Sequence, residues 1–206
     1  SNLSTTGAIS GNVVNLSTIS GGGGNIDLGA NVTGTTSVKI SADTSGNITQ
    51  STGLISTPTL VLQTLTNPIV VGTFGTGNIG TSSANIQTNA GTVTVASNGN
   101  AYLKDTGAVN LVGANQGSIF QVTGAGANVT LTGTIKGDTV TLQGSGGSNS
   151  NIVVNGNISG LPGGNASTVN LNADGSGTVT APGTISTKTL NLSSGTGNLS
   201  ATATNA

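Results

Sequence analysis

Residues 129–142 read Val129-Thr130-Leu131-Thr132-Gly133-Thr134-Ile135-Lys136-Gly137-Asp138-Thr139-Val140-Thr141-Leu142. Two apolar–polar–apolar triplets frame this stretch, closing on Leu131 and on Leu142. In an extended chain successive side chains point to opposite faces, so the outer residues of each triplet face one way and the central Thr the other. The same signature recurs at Val38-Lys39-Ile40, Val93-Thr94-Val95, Val109-Asn110-Leu111, Val169-Asn170-Leu171 and Leu190-Asn191-Leu192, and Leu60-Val61-Leu62 is a variant with an apolar centre. Each reads as a very short strand set between turn-forming Gly, Asn and Ser.

The spacing of these strands points to a repeat. Leu16, Leu28 and Ile40 follow one another at a constant interval, and the step from Leu171 to Leu192 is close to twice that interval. A unit of about 10 to 12 residues pairs into a longer one of about 20 to 22. Residues 42–62 can be laid on residues 173–192, so that Asp43-Thr44-Ser45-Gly46-Asn47-Ile48 meets Asp174-Gly175-Ser176-Gly177-Thr178-Val179, and Leu60-Val61-Leu62 meets Leu190-Asn191-Leu192. A second element, Gly-Asn, stands at Gly11, Gly24, Gly46, Gly77, Gly156 and Gly197, mostly just before Ile, Val or Leu. Helical repeats need a 3.6-residue period and tolerate little Gly. The pattern therefore predicts an all-β parallel β-helix, a β-solenoid, whose strands pair with their equivalents one coil away. About ten coils at strand spacing give a rod of very roughly 45–50 Å, with Asn or Thr stacked at the corners. Residues 1–206 read as one such segment, expected to be a slice of a longer chain.

Composition narrows the chemistry. The chain holds 35 Gly, 35 Thr, 25 Asn and 24 Ser against five Asp and four Lys, with no Glu, Arg, His, Cys, Met or Trp. Without His or Cys there is no catalytic triad, thiolate nucleophile or ordinary zinc or haem site, and without Glu or Arg most acid–base pairs and phosphate clamps vanish. A net charge of −1 leaves no basic patch for nucleic acid. The most apolar windows, residues 68–71 and 152–154, are far shorter than the roughly twenty residues of a membrane-spanning helix, so no membrane insertion is expected. Disorder is opposed by the low charge and by the apolar third of the chain, which is ordered in position.

The strings Gly77-Asn78-Ile79-Gly80-Thr81-Ser82, residues 100–111 (Asn100-Ala101-Tyr102-Leu103-Lys104-Asp105-Thr106-Gly107-Ala108-Val109-Asn110-Leu111) and residues 185–199 resemble the degenerate repeats of filamentous haemagglutinin-like exoproteins and related bacterial β-strand-repeat adhesins. The resemblance covers nearly the whole chain. It implies a right-handed parallel β-helix in a large secreted or surface-attached bacterial protein, serving as an adhesin shaft or extracellular filament. The family's amino-terminal secretion domain is not found among these residues, and no binding or toxin domain is found either.

Several features resemble sites. Gly21 to Gly24 with Asn25-Ile26-Asp27-Leu28 looks like a calcium-binding nonapeptide, but Asp27 is out of register with the glycines, and a hard cation wants six or more oxygens. A turn is the expectation. Asp27, Asp43, Asp105, Asp138 and Asp174 would have to converge by coiling to make the carboxylate pair of a β-helical carbohydrate-active enzyme; solvated turn residues are expected instead. Lys136 and Asp138, two apart, read as an exposed ion pair worth little. Thr64/Thr66, Thr92/Thr94, Thr130/Thr132, Thr139/Thr141 and Thr178/Thr180 read as outward Thr pairs of the kind an ice-binding face uses, but their spacing is irregular. Residues 144–150 and 160–165 read as loops, and Pro58, Pro68, Pro162 and Pro182 as strand entrances or loops. No catalytic, cofactor-binding or metal residue and no cofactor is assigned. The expected role is structural, extracellular or at the cell surface. Expected partners are other copies or coils stacked end to end, and host or matrix glycans. A carbohydrate-active enzyme and an ice-binding protein are the alternatives.

Overall fold

A computed structural model describes residues 1–18, 22–66, 72–147 and 149–204. Gly21, the window 68–71 with Pro68, and Ser148 of the first Gly-Ser loop lie outside the described residues. Among the described residues every regular element is a β-strand, and every pairing between strands is parallel. The chain is a β-solenoid, as the triplets predict.

Its turns are clearest in the middle. Ile119–Ala125, Val129–Leu131 and Thr134–Lys136 make one turn; Thr139–Ser145, Ile152–Val154 and Asn157–Ser159 make the next. Each strand pairs with its counterpart one turn away, giving three walls: Phe120 with Val140, Leu131 with Val154, Ile135 with Ile158. Nearer the amino terminus the end of the first wall and the second and third walls merge into long bent strands such as Val32–Asp43 and Ile55–Leu65, whose register slips just before the second wall. Pro58 and Pro182 lie inside long strands at such bends, rather than at strand entrances, while Pro162 is in a loop.

Stacking of like positions builds the core. One column runs Leu3, Ile26, Ile48, Ile79, Ala101, Phe120, Val140, Val169, Leu190. A second runs Val14, Val38, Leu60, Val93, Leu111, Leu131, Val154. The interior members are buried, whereas Leu3 and Leu190, in the outermost turns, are partly exposed. Burying a Val or Leu contributes roughly 1.5–3 kcal/mol, so a narrow core that takes one or two such residues from each wall in each turn gains stability in proportion to its length.

The first column has nine members, so the rod has nine turns rather than ten, and eight steps at strand spacing make it about 40 Å long. Two turns are longer than the rest, the one from Ile48 to Ile79 and the one from Val140 to Val169. The alignment of residues 42–62 with 173–192 also changes meaning. Ile48 belongs to the first wall, but Val179 pairs with Ile152 and Leu199 on the second; Leu60 stacks in the second column and Leu190 in the first. What recurs is a turn. Gly46 N–H donates to Asp43 C=O at 2.6 Å and Gly177 N–H to Asp174 C=O at 2.9 Å, at corners of different walls.

At Gly24, Gly46 and Gly77 the Gly-Asn element makes the corner before the first wall, whereas at Gly156 it opens the third wall and at Gly197 it precedes the second. Asn2, Asn25, Asn47, Asn78 and Asn100 form a ladder in which each Oδ1 accepts a backbone N–H one turn on: Asn25 at 3.0 Å, Asn47 at 2.8 Å, Asn78 at 2.7 Å, Asn100 at 2.8 Å and Ile119 at 3.2 Å. The glycines preceding this ladder stack too closely for a side chain. A Cβ on Gly46 would lie 2.1 Å from Gly24 O, so the backbone approach at this level requires Gly.

Candidate functional site

The five aspartates do not converge. Among the described residues no three His, Cys, Asp or Glu side chains stand close enough to hold a metal ion. Asp27 sits in the strand Ile26–Leu28, and its carboxylate accepts from Thr49 Oγ1 one turn on at 3.0 Å. The Asp174 carboxylate accepts from the N–H groups of Gly147 at 2.5 Å and Gly175 at 2.9 Å. Asp138 is exposed and accepts from Ser118 Oγ at 3.2 Å. The expected ion pair with Lys136 is not formed among the described residues, and the Asp138 carboxylate turns instead to the neighbouring turn of the rod.

Asp43 and Asp105 depart from the solvated reading, each being only 1% exposed. Asp43 accepts from Gly22 N–H at 2.9 Å and Thr44 Oγ1 at 2.7 Å. Asp105 follows Thr88 in an inward column, where Oδ2 accepts from Thr88 Oγ1 at 2.5 Å and Ala90 N–H at 3.0 Å, and Oδ1 from Gly107 N–H at 2.8 Å. Burial raises the Asp105 pKa, and these three donors only partly oppose the rise. Both carboxylates stabilise turns of the chain itself.

The Thr pairs make no flat array. Thr64 is fully buried, donating to Gly75 C=O at 2.9 Å and bonded to Ser97 Oγ at 2.9 Å, so Thr64 faces the opposite way from the expectation while Thr66 bonds to Thr73 Oγ1 on the exposed side at 2.8 Å. On the first wall the outward positions run Asp27, Thr49, then Tyr102, Gln121, Thr141, Asn170 and Asn191, a mixture of shapes.

A concavity with polar groups and an apolar wall lies elsewhere. Residues 72–78 and 160–165, which belong to the two long turns, stand at one corner of the rod, between the third wall and the first. Between these loops is a hollow of about 450 Å³ lined by Gly72, Asn98, Gln116, Lys136, Leu161 and Pro162. Its floor is set by register: Gln116 pairs with Ala96 on one side and Lys136 on the other. Asn98 Nδ2 donates to Phe74 C=O at 2.5 Å, and Gln116 Nε2 donates to Asn98 Oδ1, which fixes the two amides relative to the first loop. A second hollow of about 410 Å³ lies towards the amino-terminal end of the rod, over Lys39, Ser41 and Gln63. Sequence reasoning missed the first hollow; the signal was present in the two long intervals between triplets.

No protein-family model matches the chain, and neither a curated protein nor a solved structure matches it. No helix among the described residues is long and apolar enough to cross a membrane.

Proposed function

We propose that the chain is a structural, non-enzymatic segment of a secreted or cell-surface bacterial β-solenoid protein, acting as an adhesin shaft or extracellular filament. The observation that carries this reading is the continuity of the stack: core columns and the Asn ladder pass from turn to turn, and the five carboxylates serve separate turns. Such a rod resists extension along its axis through many parallel backbone bonds and offers long walls for contact. Lys39, Lys104 and Lys188 lie inside strands, which withholds them from trypsin-like proteases in the surroundings where such a rod would work. Stacking partners, whether copies or further coils, suit the outermost turns, where Leu3, Ile9 and Leu16 at one end and Leu190, Leu192 and Ala201 at the other pack on the core yet stay partly exposed.

Electron microscopy of the purified chain tests this. Stiff rods about 40 Å long, or filaments built from them with a meridional repeat near about 4.8 Å, are expected. Compact globules without that repeat, or turnover of a glycan lost on replacing an Asp, would overturn it.

A further inference from the structure

The floor of the loop-flanked hollow carries an ammonium group without an assigned role. Among the described residues, the Lys136 ammonium makes no hydrogen bond or ion pair, and the lining of the hollow includes no carboxylate. Beside it, on the adjacent turn, Gln116 spends its Nε2 donor on Asn98 Oδ1, which leaves Gln116 Oε1 as an acceptor for a ligand in the hollow. One wall is the apolar pair Leu161-Pro162. A cation, a fixed amide acceptor and an apolar wall therefore line one concavity, held by register and by two loops rather than by chance surface packing.

We propose that this hollow binds an acidic saccharide through one of its uronic-acid units. The carboxylate would take the Lys136 charge, a ring hydroxyl would donate to Gln116 Oε1, and the C–H face of the ring would rest on Leu161 and Pro162. Among the described residues no aromatic side chain lines the hollow, so a neutral sugar finds no stacking platform there and charge-assisted hydrogen bonding must supply the selectivity. The two loops leave the rod after its third and seventh turns, four steps of strand spacing apart, so about 19 Å of floor lies between them. That length suits a short run of an extended chain. The contact is separate from the mechanical role, since a rod that binds nothing would still be a rod.

Titration calorimetry with tetragalacturonate at low salt, on the whole chain, tests the assignment. Binding should weaken with added salt, and the fully methyl-esterified tetramer, which keeps the rings but lacks the charge, should bind about fivefold less tightly. Lys136→Gln should lose a comparable factor with an unchanged melting curve, while Lys188→Gln, on a distant turn, should bind as the unaltered chain does. Absence of tetragalacturonate binding, equal binding of the ester, or an unaffected Lys136→Gln variant would each overturn the proposal. Inorganic phosphate displacing the tetramer at equal concentration would show a plain anion site and overturn the saccharide assignment.

Discussion

Two neighbouring stretches of the rod solve the same packing problem with different chemistry. From Ile119 to Ser159 the columns are apolar: Phe120 and Val140, Leu131 and Val154, Ile135 and Ile158. In the preceding stretch, from Ile86 to Gln116, the register continues but the inward positions include Thr88, Asp105 and Asn115. Asn115, 2% exposed, precedes Ile135 in the third column. Its Oδ1 accepts from Val95 N–H at 2.9 Å, and its Nδ2 donates to the C=O groups of Val112 and Thr134, each at 3.1 Å. The stack accepts a polar side chain inside when backbone groups of its own and neighbouring turns saturate it. One stretch is held by volume and the other by hydrogen-bond geometry, so they should fail differently.

The largest effect is expected in the apolar stretch. Leu131→Asp buries a charge with no partner between Leu111 and Val154 and should destabilise the rod by about 3–5 kcal/mol, read from urea unfolding. Gly46→Ala comes next at about 2–3 kcal/mol, because the new methyl meets the Gly24 carbonyl and the corner must open. A melting point unmoved by this change would contradict the close stacking of that corner.

In the polar stretch, Asn115→Leu retains the volume but strands the groups that Asn115 serves, so about 1–3 kcal/mol should be lost. If the leucine variant were more stable than the native chain, volume rather than hydrogen bonding would govern both stretches. Asp105 gives a smaller, pH-dependent contrast. Its folded pKa is raised above the unfolded value, so the folded state holds the proton more tightly there. This group's contribution to stability is therefore fully present below the ordinary carboxylate range and is lost as pH rises through the raised folded value. Melting temperatures should fall across that window, and Asp105→Asn should flatten the part of the slope due to this residue. The smallest effect belongs to the surface: Asp138→Asn should change stability by no more than about 0.5 kcal/mol.

What could be read from the sequence follows from the range over which each cause acts. Alternation is local, and every outer residue of the triplets from Val38 to Leu171 is buried. The same rule, applied without regard to polarity, finds buried polar residues as well: Thr57 continues Ile55, Thr64 continues Leu60 and Leu62, Thr88 continues Ile86, and Asp105 continues Ala101 and Leu103. Asn115 gave no such signal, since Ala114 and Gln116 flank it and most of its partners come from neighbouring turns. The turn count ran high because residues 66–78 and 160–165 have much the same Gly, Thr and Asn composition as ordinary corners. The hollow at Lys136 was hidden for the same reason. Its walls come from loops far apart in the sequence, and only stacking at constant rise brings them to one corner.

Register is the central claim, and a Cys-free chain allows it to be measured through introduced spin labels. Thr130 and Val153 are distant in sequence but paired on adjacent turns, whereas Thr130 and Thr141, much closer in sequence, lie on different walls. Strong dipolar broadening for labels at Thr130→Cys with Val153→Cys, and little for Thr130→Cys with Thr141→Cys, is the predicted result. Broadening that instead follows distance along the sequence would contradict the solenoid.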